Sequence, residues 1–241
     1  QDIQLNELND NFDATVVATG AWTSMPLRCP GEELDGVVGG IDFLREVALG
    51  NPEFIGKNVA IVGGGNTAMD ACRTAVRLGA ENVYNIYRRT KAEMPAEDIE
   101  IIEAEEEGVI FKNLTNPIEV VGKDGKVDSV RLQIMELGEP DSSGRRRPIP
   151  VEGQEETLKI DTIIVAIGQG LDSFGLQDIQ LTDWNTILAD KNSFATNVPG
   201  VFALGDATND GADIAISAIG EAKKAVEVID KYIYGKDIEF K

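Results

Sequence analysis

Apolar positions in this chain follow two different periods, and the changes between them mark the elements. Asn58 to Val62, "NVAIV", is a near-continuous apolar run of strand length that stops at three glycines. Asn66 to Leu78 then reads as a helix ended by Gly79, and Asn82 to Tyr87, "NVYNIY", as another strand. Strand, helix and strand within about 30 residues predict a βαβ unit with a parallel pair. Upstream, the β-branched run "ATVVATG" from Ala14 to Gly20 predicts a buried strand, and the Pro- and Gly-rich stretch after it a crossing loop. Ile41 to Leu49 reads as a helix, with Ile41, Leu44, Val47 and Ala48 on one face.

A helix from Glu97 to about Glu106 follows the βαβ unit, and its acidic face is expected simply to be solvated. From Val109 to Ile167 the period shortens to that of strands: "VIFKNL", "PIEVV", a "GKDGK" turn, "VDSVRLQIMEL", a polar "GEPDSSGRRR" tip and "TIIVAIG". These predict an antiparallel ribbon inserted before a buried strand. The C-terminal part predicts strands at "TILAD" and "VFALGD" and a long helix from near Ala212. Its apolar positions, from Ile214, Ile216 and Ile219 to Ala225, Val226 and Ile229, occupy more of the circumference than a one-sided surface helix needs. That helix is expected to be buried on most of its girth.

Composition removes several kinds of chemistry. There is no histidine, and the two cysteines, Cys29 and Cys72, form no CxxC pair. Zinc sites, a dithiol redox centre, a cysteine-ligated cluster and His-dependent nucleophiles therefore lose their usual residues. A net charge of -20 repels nucleic acid and anionic membrane, so a phosphate ligand must meet a local basic cluster. No apolar run approaches the ~20 residues of a membrane helix, and no signal peptide opens the chain, so the expectation is a soluble cytoplasmic protein.

The chemistry centres on "GGGNTA". Gly63, Gly65 and Ala68 fill the positions of a GxGxxG/A loop: a tight turn, close approach of backbone to a pyrophosphate, and close packing of helix on strand. The helix N-terminus offers free N–H groups to phosphate. The bland alternative is a glycine turn needed only for packing. An NAD or FAD site would place an acidic residue at the end of the second strand, for the ribose 2′-OH. Here "YRRTK" stands instead, and Arg88 and Arg89, with Lys91 nearby, suit the 2′-phosphate of NADP. Cys72 reads as a small core residue, and Asp70 as facing either nucleotide or solvent. Arg145 to Arg147 could dock an acidic partner, but a solvated tip is the simpler reading. "YIYGK", Tyr232 to Lys236, matches a YxxxK pair by chance.

Taken together, "FDATVVATGA", "PGEELDGV", "GKNVAIVGGGNTAMD", "YRRTKAEMPA", "TIIVAIGQ" and "VPGVFALGDA" resemble the two-dinucleotide flavoproteins. More narrowly, the chain is similar to the small (beta) subunit of NADPH-dependent glutamate synthase, from about Phe12 to Ile233. The resemblance implies an α/β fold in which a Rossmann-like NADPH domain with an inserted ribbon (46–160) interrupts a partial FAD-binding domain (1–45 and 161–241). It implies that Gly63, Gly65, Asn66, Thr67, Ala68, Arg88, Arg89, Lys91 and Gly168 belong to the NADPH site. Thr19, Gly20, Gly205, Asp206, Asp213 and Ile214 fall on the FAD side, with Asp206 at the ribityl chain and the last helix's N-terminus toward the flavin.

Hydride transfer between two bound cofactors needs alignment more than an acid or base, so the missing histidine fits. The family's FAD fingerprint and cysteine-rich iron–sulfur region are missing, and residue 1 is Gln. The expectation is a piece of a longer chain that binds NADPH and holds FAD weakly or not at all. Its partner would be a large glutamate synthase-type or other electron-accepting subunit, such as one serving ferredoxin, with a homodimer also open. A non-catalytic NADP-binding redox sensor is the alternative from another class. A thioredoxin-reductase-like enzyme would need a CxxC.

Overall fold

The run Asn58–Val62 forms a strand whose alternate side chains enter two different cores, and covering both faces dictates the rest of its unit. Val59 and Ile61 join one cluster with Ala68, Met69, Cys72 and Ala75, while Ala60 and Val62 join another with Val120, Val130, Leu132 and Ile163. A strand covered on both sides reads as continuous apolar sequence rather than as an alternation, which is the pattern seen.

The computed structural model describes residues 3–51, 56–141, 144–208 and 214–235. Along the chain come α1 (Leu5–Asn11), β1 (Thr15–Val17), β2 (Thr23–Ser24), β3 (Val37–Gly39), α2 (Gly40–Ala48), β4 (Asn58–Val62), α3 (Asn66–Arg77), β5 (Asn82–Tyr87) and α4 (Asp98–Glu106). The strands β6 (Ile110–Asn113), β7 (Thr115–Lys123), β8 (Lys126–Pro140), β9 (Arg146–Lys159), β10 (Thr162–Val165), β11 (Gln169–Gly170) and β12 (Val201–Ala203) follow, and α5 (Ala215–Ile233) ends the series. Two compact units result: Ser24–Gln169, and Gln1–Thr23 with Gly170–Lys241.

In the first unit a parallel sheet runs in the order β3-β10-β4-β5-β6. Helices α3 and α4 cover one face. The antiparallel ribbon β7-β8-β9 covers the other, taking the place of the second helical layer of a doubly wound sheet. The βαβ unit and the ribbon are as the pattern predicted, with one correction. "VIFKNL" is not ribbon: β6 pairs parallel with β5, Tyr84 opposite Ile110, and extends the main sheet. Where the sequence placed boundaries at 45/46 and 160/161, the compact units divide at 23/24 and 169/170, because β3 and β10 are hydrogen-bonded members of this sheet.

The second unit pairs β1 with β12 in parallel, Thr15 opposite Val201, over Val17, Ile179, Ile187, Val201 and Ala203. "TILAD" forms no strand. It makes only isolated bridges, Ile187 with Leu181 and with Thr208. The expected burial of α5 is also corrected: Ala225 is its buried residue, while Ile216 is 74% and Val226 65% exposed. Within its unit α5 is seated along one line only, where Tyr232 meets the Phe202 ring edge-on at 5.4 Å and Val228 and Ile229 pack nearby. Tyr232 is therefore a packing residue, and Lys236 of the YxxxK match lies outside the described residues. No helix among the described residues is long and apolar enough to cross a membrane.

Candidate functional site

The chain leaves β4 through Gly63 at φ +147, where a Cβ would stand 2.1 Å from the Ala166 carbonyl oxygen just beyond β10. The two loops meet where the order of strands reverses, β5 lying on one side of β4 and β10 on the other. That is the crevice in which open α/β sheets hold ligands. The Gly63 N–H donates to the Ile86 carbonyl at 3.0 Å, and its own carbonyl accepts from Asn85 Nδ2 at 2.9 Å. Gly64 is required by Tyr87, whose ring would lie 2.5 Å from an added Cβ.

Gly65 is different. Its φ of -93 suits any residue, and the nearest atom to an added Cβ is Pro95 Cγ at 3.9 Å. Neither backbone nor packing asks for glycine there. Helix α3 opens at the next residue with no side-chain cap, so its first N–H groups are left for a ligand. Ala68 is fully buried and would lie 3.2 Å from a Gly63 Cβ, which is the close helix–strand contact. Asn66 Oδ1 accepts the Glu97 N–H at 3.0 Å at the start of α4, and Thr67 Oγ1 accepts Gln169 Nε2 at 2.9 Å. Gly168, at φ +153, gives its carbonyl to the Met25 N–H at 3.1 Å.

The arginine pair at the end of β5 divides. Arg88 is exposed and makes no ion pair among the described residues. Packing along part of its length holds its guanidinium below the ordinary value, and the charges of Arg89 and Arg145 add to the effect. Arg89 is turned inward, 5% exposed, with Nε on the Arg146 carbonyl at 2.6 Å and a terminal nitrogen on Asp141 Oδ2 at 2.9 Å. Lys91 pairs with Glu105 and sits 4.5 Å above the Phe111 ring. Arg89 and Lys91 are thus both engaged by contacts within the chain.

Beneath the loop, Cys72 is wholly buried beside Asn85, and burial pushes its thiol well above the ordinary range. The α4 acids are not merely solvated. Glu100, Glu103 and Glu107 converge on Arg73 at 2.7, 2.6 and 2.8 Å, and Glu107 also binds Arg77 at 2.6 Å. These pairs draw α4 onto α3. Asp70, exposed on α3, is raised by desolvation and then by Glu100.

In the other unit, the Thr19 carbonyl accepts the Trp22 indole N–H at 2.6 Å, and Gly20 turns at φ +70. Gly205, also at φ +70, opens a short 3-10 turn and donates its N–H to Glu221 Oε2 at 2.8 Å. Asp206 is exposed on that turn. Ile214 is the exposed residue before α5, and Asp213 lies outside the described residues.

A family described as pyridine nucleotide-disulphide oxidoreductase matches residues 2–227. The chain belongs to this family. Among curated relatives, it is 43% identical over 236 residues to the NADP(+)-dependent formate dehydrogenase subunit beta of Moorella thermoacetica, covering 96% of this chain and 33% of that protein. It is 36% identical to the glutamate synthase [NADPH] small chain of Azospirillum brasilense, covering 98% and 52%. The likeness read from the sequence motifs is thus borne out, and the chain spans about a third to a half of the length of these relatives. The solved structure of Mycobacterium tuberculosis FprA in complex with NADPH superposes with a TM-score of 0.81 at 20% identity, over 96% of this chain and 66% of that one. The α/β architecture is accordingly that of a family member.

Sequence reasoning missed Asn85, Gln169 and Asp141. A polar residue inside the apolar run "NVYNIY" was a visible signal for Asn85. The other two had none, since each acts on a partner far away in the chain: Gln169 on Thr67 and Asp141 on Arg89.

Proposed function

We propose that this chain is the NADPH-binding portion of a flavin-dependent oxidoreductase subunit, passing reducing equivalents from NADPH to FAD and on to a partner subunit. Gly65 carries the reading: a glycine that neither its backbone angle nor its neighbours require, set at the uncapped start of α3, is explained by a ligand's backbone-close approach. The N–H groups of Asn66 and Thr67 hold the pyrophosphate there, strengthened by the helix dipole. Gln169 fixes the Thr67 hydroxyl, and Asn85 fixes the Gly63 carbonyl, so the loop is in place before the ligand arrives. Arg88 takes the 2′-phosphate, where the family's NAD-binding members would carry an acid.

NADPH, when bound, supplies the hydride, so the chain's own task is to bind, orient and exclude water. On the FAD side, Thr19, Gly20 and Gly205 shape backbone turns, and the exposed Asp206 offers a carboxylate to a polyol hydroxyl. Two relatives that are subunits of larger enzymes, both named for NADP or NADPH, support delivery to a partner. Calorimetric titration of one sample with NADPH, NADH and FAD tests the reading. NADPH is expected to bind well above NADH, and equal affinity for the two would overturn the cofactor assignment.

A further inference from the structure

Strand β5 carries one amide into an apolar core. Val83 and Tyr87, two positions before and after Asn85, lie in the cluster under α3, so the alternation of the strand puts Asn85 on that face. It is fully buried beside the Cys72 thiol, with Ile61 of β4 and Phe111 of β6 as its register partners. Its Nδ2 donates to the Gly63 carbonyl at 2.9 Å, while its Oδ1 is buried with no hydrogen-bond partner among the described residues. An amide buried with one end unpartnered costs stability that an apolar strand residue would not. What the other end does is orient Gly63, whose own N–H is tied to the Ile86 carbonyl at 3.0 Å.

In a planar trans peptide the N–H of the next residue points opposite to the carbonyl. A Gly63 carbonyl fixed toward Asn85 therefore turns the Gly64 N–H away from Asn85, and that N–H has no acceptor among the described residues. The N–H groups of Gly65, Asn66 and Thr67 have none either, so successive donors stand open into the uncapped start of α3. Successive backbone N–H groups in a turn are an anion-binding arrangement. The peptide between Gly63 and Gly64 has glycine on both sides, the pair least able to hold it in one orientation unaided. We propose that Asn85 is a positioning residue of the dinucleotide site, which holds this peptide in the orientation that offers the Gly64 N–H to the pyrophosphate of NADPH. The inference deepens the NADPH reading and rests on it. Asn85 makes no contact with the ligand. Without its donor the Gly63 carbonyl loses its side-chain partner, the peptide is free to turn, and the Gly64 N–H leaves its line.

The test is calorimetric titration of the 241-residue chain and its Asn85→Leu variant with NADPH and with adenosine 2′-monophosphate, which keeps the 2′-phosphate and lacks the pyrophosphate. Asn85→Leu, close to asparagine in volume, is expected to weaken NADPH about tenfold and leave adenosine 2′-monophosphate within about twofold. Asn85→Ala, which adds no new side chain, should do the same, and scanning calorimetry checks that each variant is folded. Equal loss for both ligands, as a merely structural role would give, or unchanged NADPH affinity in a folded variant, overturns the role of Asn85. The parent supplies a second measurement that needs no variant: the Gly64 amide resonance should shift on adding NADPH and stay in place with adenosine 2′-monophosphate. A Gly64 amide indifferent to bound NADPH also overturns the role. A parent chain that binds NADPH above NADH keeps the NADPH reading standing even if the Asn85 variants are silent. One that binds neither brings down that reading, and the inference with it.

Discussion

The three glycines after β4 can be separated by two substitutions that exchange stability for binding. At Gly65 an alanine meets nothing within 3.9 Å and keeps an ordinary φ of -93, so the fold should lose only the small preference for glycine over alanine at a helix N-cap, below about 1 kcal/mol. At Gly63 an alanine must adopt φ +147 and place its Cβ 2.1 Å from the Ala166 carbonyl oxygen. A disfavoured backbone costs about 1–2 kcal/mol and overpacking about 1–3, so about 2–5 kcal/mol is lost together. At roughly 2–4 °C per kcal/mol, Gly63→Ala should lower Tm by about 4–20 °C, against about 4 °C or less for Gly65→Ala. Scanning calorimetry reads these shifts, and titration with NADPH reads the other half. Gly65→Ala should bind NADPH at least about tenfold more weakly, because the added methyl stands where the pyrophosphate must approach the backbone. Full affinity in a folded Gly65→Ala protein would refute the reasoning, since the one position left open by the protein would then not be open for the ligand.

Arg88→Ala should weaken NADPH by about tenfold and NADH by less than twofold in fluorescence titration, as expected for loss of one charge-assisted contact to the 2′-phosphate. Glu107 is held below its ordinary value of 4.5, first by its hydrogen bonds to Arg77 and Arg73, so its ion pairs stabilise the fold at pH above that value and are lost as pH falls through the lowered one. The Tm difference between the parent and Glu107→Gln should accordingly be full at pH 7 and shrink only as the pH is taken well below 4.5. In a thiol-labelling time course at pH 8, only Cys29 should react in the native protein, and slowly, because burial and then Glu32 raise it above the ordinary 9.0. Cys72, fully buried, should label only after denaturant is added.

Much of the nucleotide-binding unit was legible because its signals are local. β4 and β5 fall within the predicted bounds, and α3 ends one residue earlier than expected, at Arg77. The turn at Gly63 and the close packing at Ala68 were legible from spacing alone, although Gly64, required by Tyr87, went unremarked. What failed to read through was partnership. The "VIFKNL" strand has a length and composition suited to either sheet, and only its pairing with β5 places it. The two arginines of "YRRTK" are adjacent in sequence and chemically alike, yet one is exposed and the other 5% exposed.

The sequence by itself determined the elements whose causes lie within a few residues: the strand–glycine–helix turn, the helix stops at Gly79 and Gly108, and the absence of any histidine or paired cysteine for acid–base or dithiol chemistry. Only the tertiary structure decided where Arg89 goes, that the α4 acids close on Arg73, and that α5 is seated along one line. Each of those outcomes depends on groups brought together across long stretches of chain, such as Asp141 and Arg146 reaching Arg89 through the register of β8 on β9. Register and sheet partner are set by which faces the whole fold can bury, and that is a property of the assembled core rather than of any local pattern.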